Sequence, residues 1–148
     1  MSEIAKQVAI RLRRVKKKAK SVYIHISYSK IESKKSINAS KKINPTQSTK
    51  QLTDHVLSLF RSKYDGGAVR SIAVRYDNLI DDNLTIYTLF DDIEAIEKQR
   101  KIDKTLDTIR DKYGFLSVQN GSMLMEGSRV KERSKLVGGH AGGMDGII

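Results

Sequence analysis

Residues 21–29 alternate strictly between two kinds of side chain. One side of the segment consists of Val22, Ile24, Ile26 and Tyr28, and the other consists of Tyr23, His25, Ser27 and Ser29. Because successive side chains of a β-strand point to opposite faces, this pattern predicts a strand that is buried on one face and open on the other. A single strand is not stable alone, so the flanking sequence must supply further strands and a layer that covers the apolar face.

Two stretches with helical spacing provide that layer. Ser2 is the predicted N-cap of the first helix, whose apolar stripe and basic later turns extend to Lys20. That stripe consists of Ile4, Val8, Leu12, Val15 and Ala19. Ser48 and Gln51 form a capping-box pair at the start of the second helix, and Gly66-Gly67 ends it. The second stripe consists of Leu52, Val56, Leu57, Phe60 and Tyr64.

Two further segments alternate like strands. In the first, Asn44-Pro45 ends a run in which Ile37, Ala39 and Ile43 alternate with Ser36, Asn38, Ser40 and Lys42. In the second, the predicted inward residues are Ile72, Val74 and Tyr76, and the outward ones are Ser71, Ala73 and Arg75. The order helix, strand, strand, helix, strand predicts an α+β fold in which both helices cover the Ile/Val face of the sheet.

The second half of the chain has a different character. An acidic and apolar connector over residues 79–92 follows the last strand and leads into a long charged helix over Ile93 to Tyr113. The remainder ends in the glycine-rich segment GGHAGGMDGII. We therefore predict four parts: a domain over 1–78, the connector over 79–92, a helical extension over 93–137 and a flexible tail over 138–148.

Charge is distributed unevenly along the 148 residues, whose net charge is +11. Residues 1–50 hold 14 basic and 2 acidic side chains, whereas residues 51–100 hold 6 and 9. A polyanion, most commonly a phosphate backbone, is therefore the predicted partner of the first third. The chain has no cysteine, no apolar run long enough to span a bilayer and no secretory signal pattern, so a cytoplasmic protein is expected.

No pattern for catalysis emerges from the sequence. His25, His55 and His140 fall on different predicted elements, without the spacing of metal ligands. There is no glycine-rich phosphate loop and no nucleophile elbow. The acidic pairs Asp81-Asp82 and Asp91-Asp92 flank the connector rather than a predicted cleft. We predict no catalytic residue, no metal site and no cofactor for this chain.

The open face of the sheet is the stronger candidate for function. Hydroxyls, amides and cations at every second position are typical of surfaces that contact phosphates without reading sequence. The residues concerned are Tyr23, His25, Ser27, Ser36, Asn38, Ser40, Lys42, Ser71 and Arg75. Any half-exposed sheet also has a polar outer face, but here acidic residues are few and a basic helix precedes the sheet.

Several segments together resemble a known family. These are SVYIHISYSK, SLFRSKYDGGAVRSIAVRYDNLIDD, YTLFDD, IRDKYGFLSV and ERSKLVGGHAGG. Essentially the whole chain resembles the C-terminal part of Y-family translesion DNA polymerases, in the ImpB/MucB/SamB ultraviolet-damage-repair branch. The resemblance implies that residues 1–78 are most of a little-finger domain, a β-α-β-β-α-β unit of ferredoxin-like type that holds primer and template backbones. The implied DNA-binding residues are Ser27, Ser29, Lys30, Ser36, Asn38, Ser40, Lys42, Ser71 and Arg75.

The resemblance also implies a partner for the connector. Residues Ile86-Tyr87-Thr88-Leu89-Phe90 stand where such proteins carry a pentapeptide that binds the sliding clamp. Leu89 and Phe90 match that pattern, whereas Ile86 and Tyr87 do not, and the glutamine that anchors the motif is missing. The alternative is that Leu89 and Phe90 begin the apolar face of the next helix.

Two departures from the family pattern define the remaining expectations. The catalytic palm, with the acidic residues that bind magnesium, lies upstream of the sequence present here, so this chain alone is not expected to be a polymerase. The first strand of the domain is missing, and in a ferredoxin-like order it would lie centrally, between the strands near 36–43 and 69–76. Two unpaired edges would result, which predicts that the chain is marginally stable, borrows a strand from another copy or closes the gap by re-pairing.

We therefore expect a non-catalytic C-terminal fragment that binds DNA and tethers a clamp. The alternatives are a freestanding basic α/β protein that binds RNA, and an interaction protein that binds a partner through LFDD and the long helix.

Overall fold

The central strand of the sheet is β1 (Lys17–Tyr28). In the computed structural model, which describes residues 1–83, 92–129, 136–137 and 140–141, β1 pairs antiparallel with β2 (Ile37–Thr46) on one side and with β3 (Val69–Asp77) on the other. The short β4 (Ile80–Asp81) pairs with the first two residues of β1. These elements belong to the first of two compact units, Met1–Ile96 and Glu97–Ile148.

Two helices cover the apolar face of this sheet, as the sequence predicts. They are α1 (Ser2–Arg14) and α2 (Thr49–Lys63). The core contains Val22, Ile24 and Ile26 of β1, which are fully buried, and the helices contribute Ala5, Ala9, Leu12, Leu52, Val56 and Leu59. The predicted α+β class is thereby confirmed, because one antiparallel sheet packs against helices that lie on one face.

The predicted gap in the sheet is not present, because the described strands pair with one another and close it. The ferredoxin-like pattern predicts a gap between the strands near 36–43 and 69–76, but β1 itself lies between β2 and β3 and pairs with both. The physical reason is that β1 is the longest and most deeply buried of the described strands. Its buried backbone N–H and C=O groups need partners on both edges, and a central position provides a neighbouring strand on each. In the described part of the chain, β2 and β3 are the edge strands of this three-strand core.

The first helix ends earlier than its sequence pattern predicts. It begins at Ser2 with Met1 in the cap position, so Ser2 is not the N-cap, and it ends at Arg14. Lys16 has a φ of 55°, a left-handed conformation that reverses the chain direction and cannot continue an α-helix. Val15, a member of the predicted apolar stripe, is 60% exposed, while Ala19 is fully buried from the strand instead.

The second strand continues beyond its predicted end. β2 runs through Asn44-Pro45 to Thr46, with a shift in register where Ala19 pairs with Thr46 and Ser21 pairs with Lys42. A proline is tolerated because β2 is an edge strand and the ladder is irregular at this point.

The turn between α2 and β3 is fixed by the loop that joins β1 to β2. Lys34 Nζ donates to Asp65 Oδ1 at 3.1 Å and to the Gly66 carbonyl at 2.8 Å. The backbone N–H of Ala68 donates to Glu32 Oε1 at 3.0 Å. Two loops distant in sequence therefore hold each other in place.

The predicted N-cap of α2 is confirmed, but the reciprocal half of the capping box is not: the Ser48 N–H donates to Thr46 Oγ1 at 3.1 Å rather than to the Gln51 side chain. Ser48 occupies the N-cap position, and its Oγ accepts from the Gln51 N–H at 3.3 Å. One of the free N–H groups of the first turn is thereby satisfied, which fixes where the helix begins.

The helix α3 (Ile93–Tyr113) has the bounds that the sequence pattern predicts. Its first four residues belong to the first unit, and the rest of the helix belongs to the second. Short 3₁₀ turns follow at Phe115–Ser117 and Gly121–Leu124, and a two-stranded pair joins β5 (Leu136–Val137) to β6 (His140–Ala141). The other residues of the predicted flexible tail, 138–139 and 142–148, lie outside the described residues. No helix among the described residues is long and apolar enough to cross a membrane.

His55 gives the first unit a dependence on pH. This histidine is half-buried on α2, and its pKa is lowered from the ordinary value mainly by burial and then by the charge of Lys41, while Asp54 acts in the opposite direction. A histidine whose pKa is lower in the folded state binds its proton more readily when unfolded, so its contribution to stability is lost as the pH falls through and below about 6.5.

We therefore expect the free energy of unfolding to decrease from about pH 7.5 to about pH 5, and His55→Gln to make this decrease smaller. Urea unfolding of both proteins at the two pH values tests the expectation. Identical pH dependence in the two proteins would contradict it.

Candidate nucleic-acid interface

The open face of the sheet lies opposite the two helices and carries the polar half of each strand. The strand register places Tyr23 between Ser40 of β2 and Arg75 of β3, and places Ser21 between Lys42 and Asp77. These six residues form two parallel rows across the three strands. Two cations, one acid, two hydroxyls and one aromatic ring therefore meet on a surface three strands wide.

A hydrogen-bond network fixes the middle of this face. The Tyr23 hydroxyl donates to Asn38 Oδ1 at 2.6 Å, and His25 Nδ1 lies 2.7 Å from the same oxygen. With two neighbours on its oxygen, the Asn38 amide has its orientation set, and its NH₂ group remains a donor. Farther along the strands, the hydroxyls of Ser27 and Ser71, which are paired in register, form a hydrogen bond. These side chains are held in place before any ligand arrives.

Arg75 is held by two neighbours. Its guanidinium carbon lies 4.3 Å above the centre of the Tyr23 ring, a cation–π contact of about 0.5–1 kcal/mol at an exposed site. Its Nε–H donates to both carboxylate oxygens of Asp77, at 2.8 and 3.0 Å. The Arg75 side chain is still 63% exposed, so it remains accessible to a ligand.

An open depression lies around Ser21, where the small side chain leaves space between larger ones. Its volume is about 460 Å³, and its lining residues are Ser21, Tyr23, Ser40, Lys41, Lys42, Arg75, Asp77 and Asn78. Asn78 Nδ2 donates to Ser21 Oγ at 3.1 Å. The depression is therefore lined by three cations and one carboxylate, a composition suited to an anionic group.

The structure brings together six of the nine predicted DNA-binding residues. Ser27, Asn38, Ser40, Lys42, Ser71 and Arg75 lie on the three paired strands. Ser29 and Lys30 follow the end of β1, and Ser36 precedes β2, so these three lie beyond the strands at one end of the sheet. The Ser29 N–H donates to the Ala68 carbonyl at 2.8 Å, while Lys30 and Ser36 are exposed.

Sequence reasoning missed Asp77 and Asn78, two of the residues that line the depression. The predicted alternation of β3 stops at Tyr76, yet one further step places Asp77 on the same face as Arg75. Asn78 has a φ of 54° and lies in the turn after β3, so no alternation rule could have assigned it to this face.

The predicted clamp-binding residues Ile86, Tyr87, Thr88, Leu89 and Phe90 lie outside the described residues. Among the residues that the structure does describe, no group of three His, Asp or Glu side chains is placed to hold a metal ion.

Comparison with known proteins identifies the class to which this sheet and its helices belong. The model of the impB/mucB/samB family C-terminal domain matches residues 1–89, which is more than half of the chain. The chain therefore belongs to this family, and the predicted membership in the C-terminal region of Y-family polymerases is confirmed.

Individual relatives agree with this assignment. The chain is 34% identical over 139 residues to the Bacillus subtilis (strain 168) protein named "Putative UV-damage repair protein UvrX". It is 26% identical over 139 residues to "DNA polymerase IV 2" of Halalkalibacterium halodurans and 28% identical over 96 residues to "DNA polymerase IV 2" of Bacillus subtilis. The first two alignments cover 93% of this chain and 33% of each relative, so the chain spans about a third of their length. No solved structure matches the chain.

Proposed function

We propose that this chain is a DNA-contacting C-terminal region of a translesion DNA polymerase and that the open face of the sheet binds the primer–template backbone without sequence specificity. The chemistry of nucleotide transfer belongs, in this proposal, to a palm domain with magnesium. Tethering to a sliding clamp through residues 86–90 stays a prediction.

The observation that carries the proposal is the composition and rigidity of the open face. Lys42 and Arg75 supply charge, Ser40 and Ser71 supply hydroxyls, and Asn38 supplies an amide whose orientation is fixed. Contacts of this kind to phosphate and sugar set the position of a protein on a duplex but carry no sequence information. The concentration of basic residues in positions 1–50 adds a field that attracts a polyanion.

The geometry of Tyr23 favours duplex DNA over single-stranded RNA. Sheets that read RNA commonly present aromatic rings on which unpaired bases stack. Here the ring of Tyr23 is covered by the Arg75 guanidinium at 4.3 Å, so the face of the ring is occupied. The open face is therefore better suited to backbone contacts than to base stacking.

The proposal is tested by titrating a fluorescent primer–template duplex with the chain at several salt concentrations. For a protein that neutralises phosphates, the logarithm of the affinity falls linearly with the logarithm of the salt concentration, with a slope of about −0.9 per contact on duplex DNA. We expect the triple variant Ser40→Glu, Lys42→Glu, Arg75→Glu to bind at least about tenfold more weakly at low salt and to reduce that slope by about two.

A matched control distinguishes the effect of substitutions on the open face from the effect of a change in net charge. Ser58→Glu, Lys50→Glu, Arg61→Glu makes the same three kinds of substitution at exposed positions of α2, which packs on the other side of the sheet. The control should retain most of the affinity and the salt slope. The assignment to the sheet face would be wrong if both variants lost affinity equally, and absence of binding by the unmodified chain at low salt would remove the proposed function itself.

A further inference from the structure

Asp77 places a negative charge within a surface that otherwise suits an anion. Asp77 and Arg75 are two positions apart on β3, so both project from the open face, and both carboxylate oxygens accept the Arg75 Nε–H. A guanidinium offers a phosphate two edges for paired hydrogen bonds, one of which includes Nε. The carboxylate of Asp77 therefore blocks one of these edges and offsets part of the charge of Arg75.

The position of Arg75 does not depend on this carboxylate alone. The Tyr23 ring supports the guanidinium from below, at 4.3 Å from the guanidinium carbon. Tyr23 in turn is anchored by its hydroxyl, which donates to Asn38 Oδ1 at 2.6 Å. Removal of the Asp77 charge would consequently leave the guanidinium on the same face, with its Nε edge available to a phosphate.

We propose that Asp77 attenuates DNA binding by competing with a backbone phosphate for Arg75, while Tyr23 positions the guanidinium for both partners. This inference rests on the proposed function and adds a determinant of affinity to it. Because Arg75 must break its ion pair with Asp77 before it binds a phosphate, each phosphate contact contributes less binding free energy.

The substitution Asp77→Asn tests the sign of this effect in the same duplex titration. Asparagine preserves the size of the side chain and removes its charge. We expect affinity to rise about threefold to tenfold at moderate salt and the salt slope to steepen by about one, as for one additional phosphate contact. Asp54→Asn is the matched control, because Asp54 is exposed on α2 and its substitution changes the net charge by the same amount.

Two further variants separate competition from a general change in charge. In an Arg75→Gln background, Asp77→Asn should give little more than the gain of the Asp54→Asn control, because the group for which the carboxylate competes is gone. Tyr23→Leu should weaken binding by removing the supporting ring, whereas Tyr23→Phe, which keeps the ring but loses its hydrogen bond to Asn38, should weaken binding less. Circular dichroism melts of every variant establish that each is folded.

The outcomes distinguish this inference from the function on which it rests. If the unmodified chain binds the duplex with a steep salt dependence but Asp77→Asn binds no more tightly than Asp54→Asn, competition at Arg75 is refuted and the proposed function stands. Competition is likewise refuted if Asp77→Asn gives its full gain in the Arg75→Gln background. If the unmodified chain does not bind the duplex at low salt, the proposed function is refuted, and the inference about Asp77 is refuted with it.

Discussion

Ile24→Ala is expected to lower the free energy of unfolding by about 3–4 kcal/mol, a large share of the total for a domain of this size. Ile24 is fully buried at the centre of β1, paired with Ala39 on one side and Val74 on the other. Truncation removes apolar atoms from the core and leaves a cavity that the paired strands cannot close, because their positions are fixed by hydrogen bonds on both edges of β1.

Urea unfolding followed by circular dichroism measures this effect. Ile31→Ala is the matched control, because Ile31 is 94% exposed in the loop after β1 and the same atoms are removed there. The control should change stability by less than about 0.5 kcal/mol. Equal unfolding midpoints for the two variants would show that β1 is not the centre of the core.

Gly67→Val is the second substitution with a large expected cost, about 2–3 kcal/mol. Gly67 has a φ of +104°, which a β-branched residue adopts only with strain. A Cβ at this position would also lie 3.3 Å from Lys34 Cδ and 3.4 Å from a ring carbon of Tyr28. Lys34 cannot move away without loosening its contacts with Asp65 and the Gly66 carbonyl, which join the two loops.

Gly66→Val provides the comparison, because Gly66 has nearly the same φ, +101°, but nothing within 4 Å of an added Cβ. Its cost should reflect backbone strain alone, about 1–2 kcal/mol. Urea unfolding of both variants gives the difference, which is attributable to the contact with Lys34 and Tyr28. If Gly66→Val proves as costly as Gly67→Val, that contact contributes nothing.

Alternation along the strands allows the buried face of the sheet to be predicted, but it does not reveal the strand order. Val22, Ile24 and Ile26 are buried where the sequence places them, because side-chain direction in a strand is a local property. The neighbours of β1 depend instead on which segments compete for its two edges. The ferredoxin-like expectation leaves a gap between the strands near 36–43 and 69–76, whereas β1 itself occupies that central position.

The end of the first helix and the acid of the candidate site illustrate two other limits. The run from Val15 to Lys20 keeps helical spacing, yet Lys16 turns the chain so that Ala19 reaches the core from a strand. Tertiary burial overrides a weak local preference in such a case. Strand alternation continued by one residue would have placed Asp77 on the open face. Its ion pair with Arg75, however, depends on side-chain geometry that the sequence alone does not specify.

The central place of β1 also determines when the first unit can complete its folding during synthesis. The β1–β2 pairing joins residues close in sequence, such as Ile24 and Ala39, whereas the β1–β3 pairing joins Ile24 to Val74. The Tyr76 hydroxyl then donates to the carbonyl of Ala5, across 71 positions. Closing such long loops slows folding. A nascent chain that has not yet released β3 from the ribosome therefore carries β1 with one edge unpaired, and an unpaired strand edge is a site at which chains aggregate.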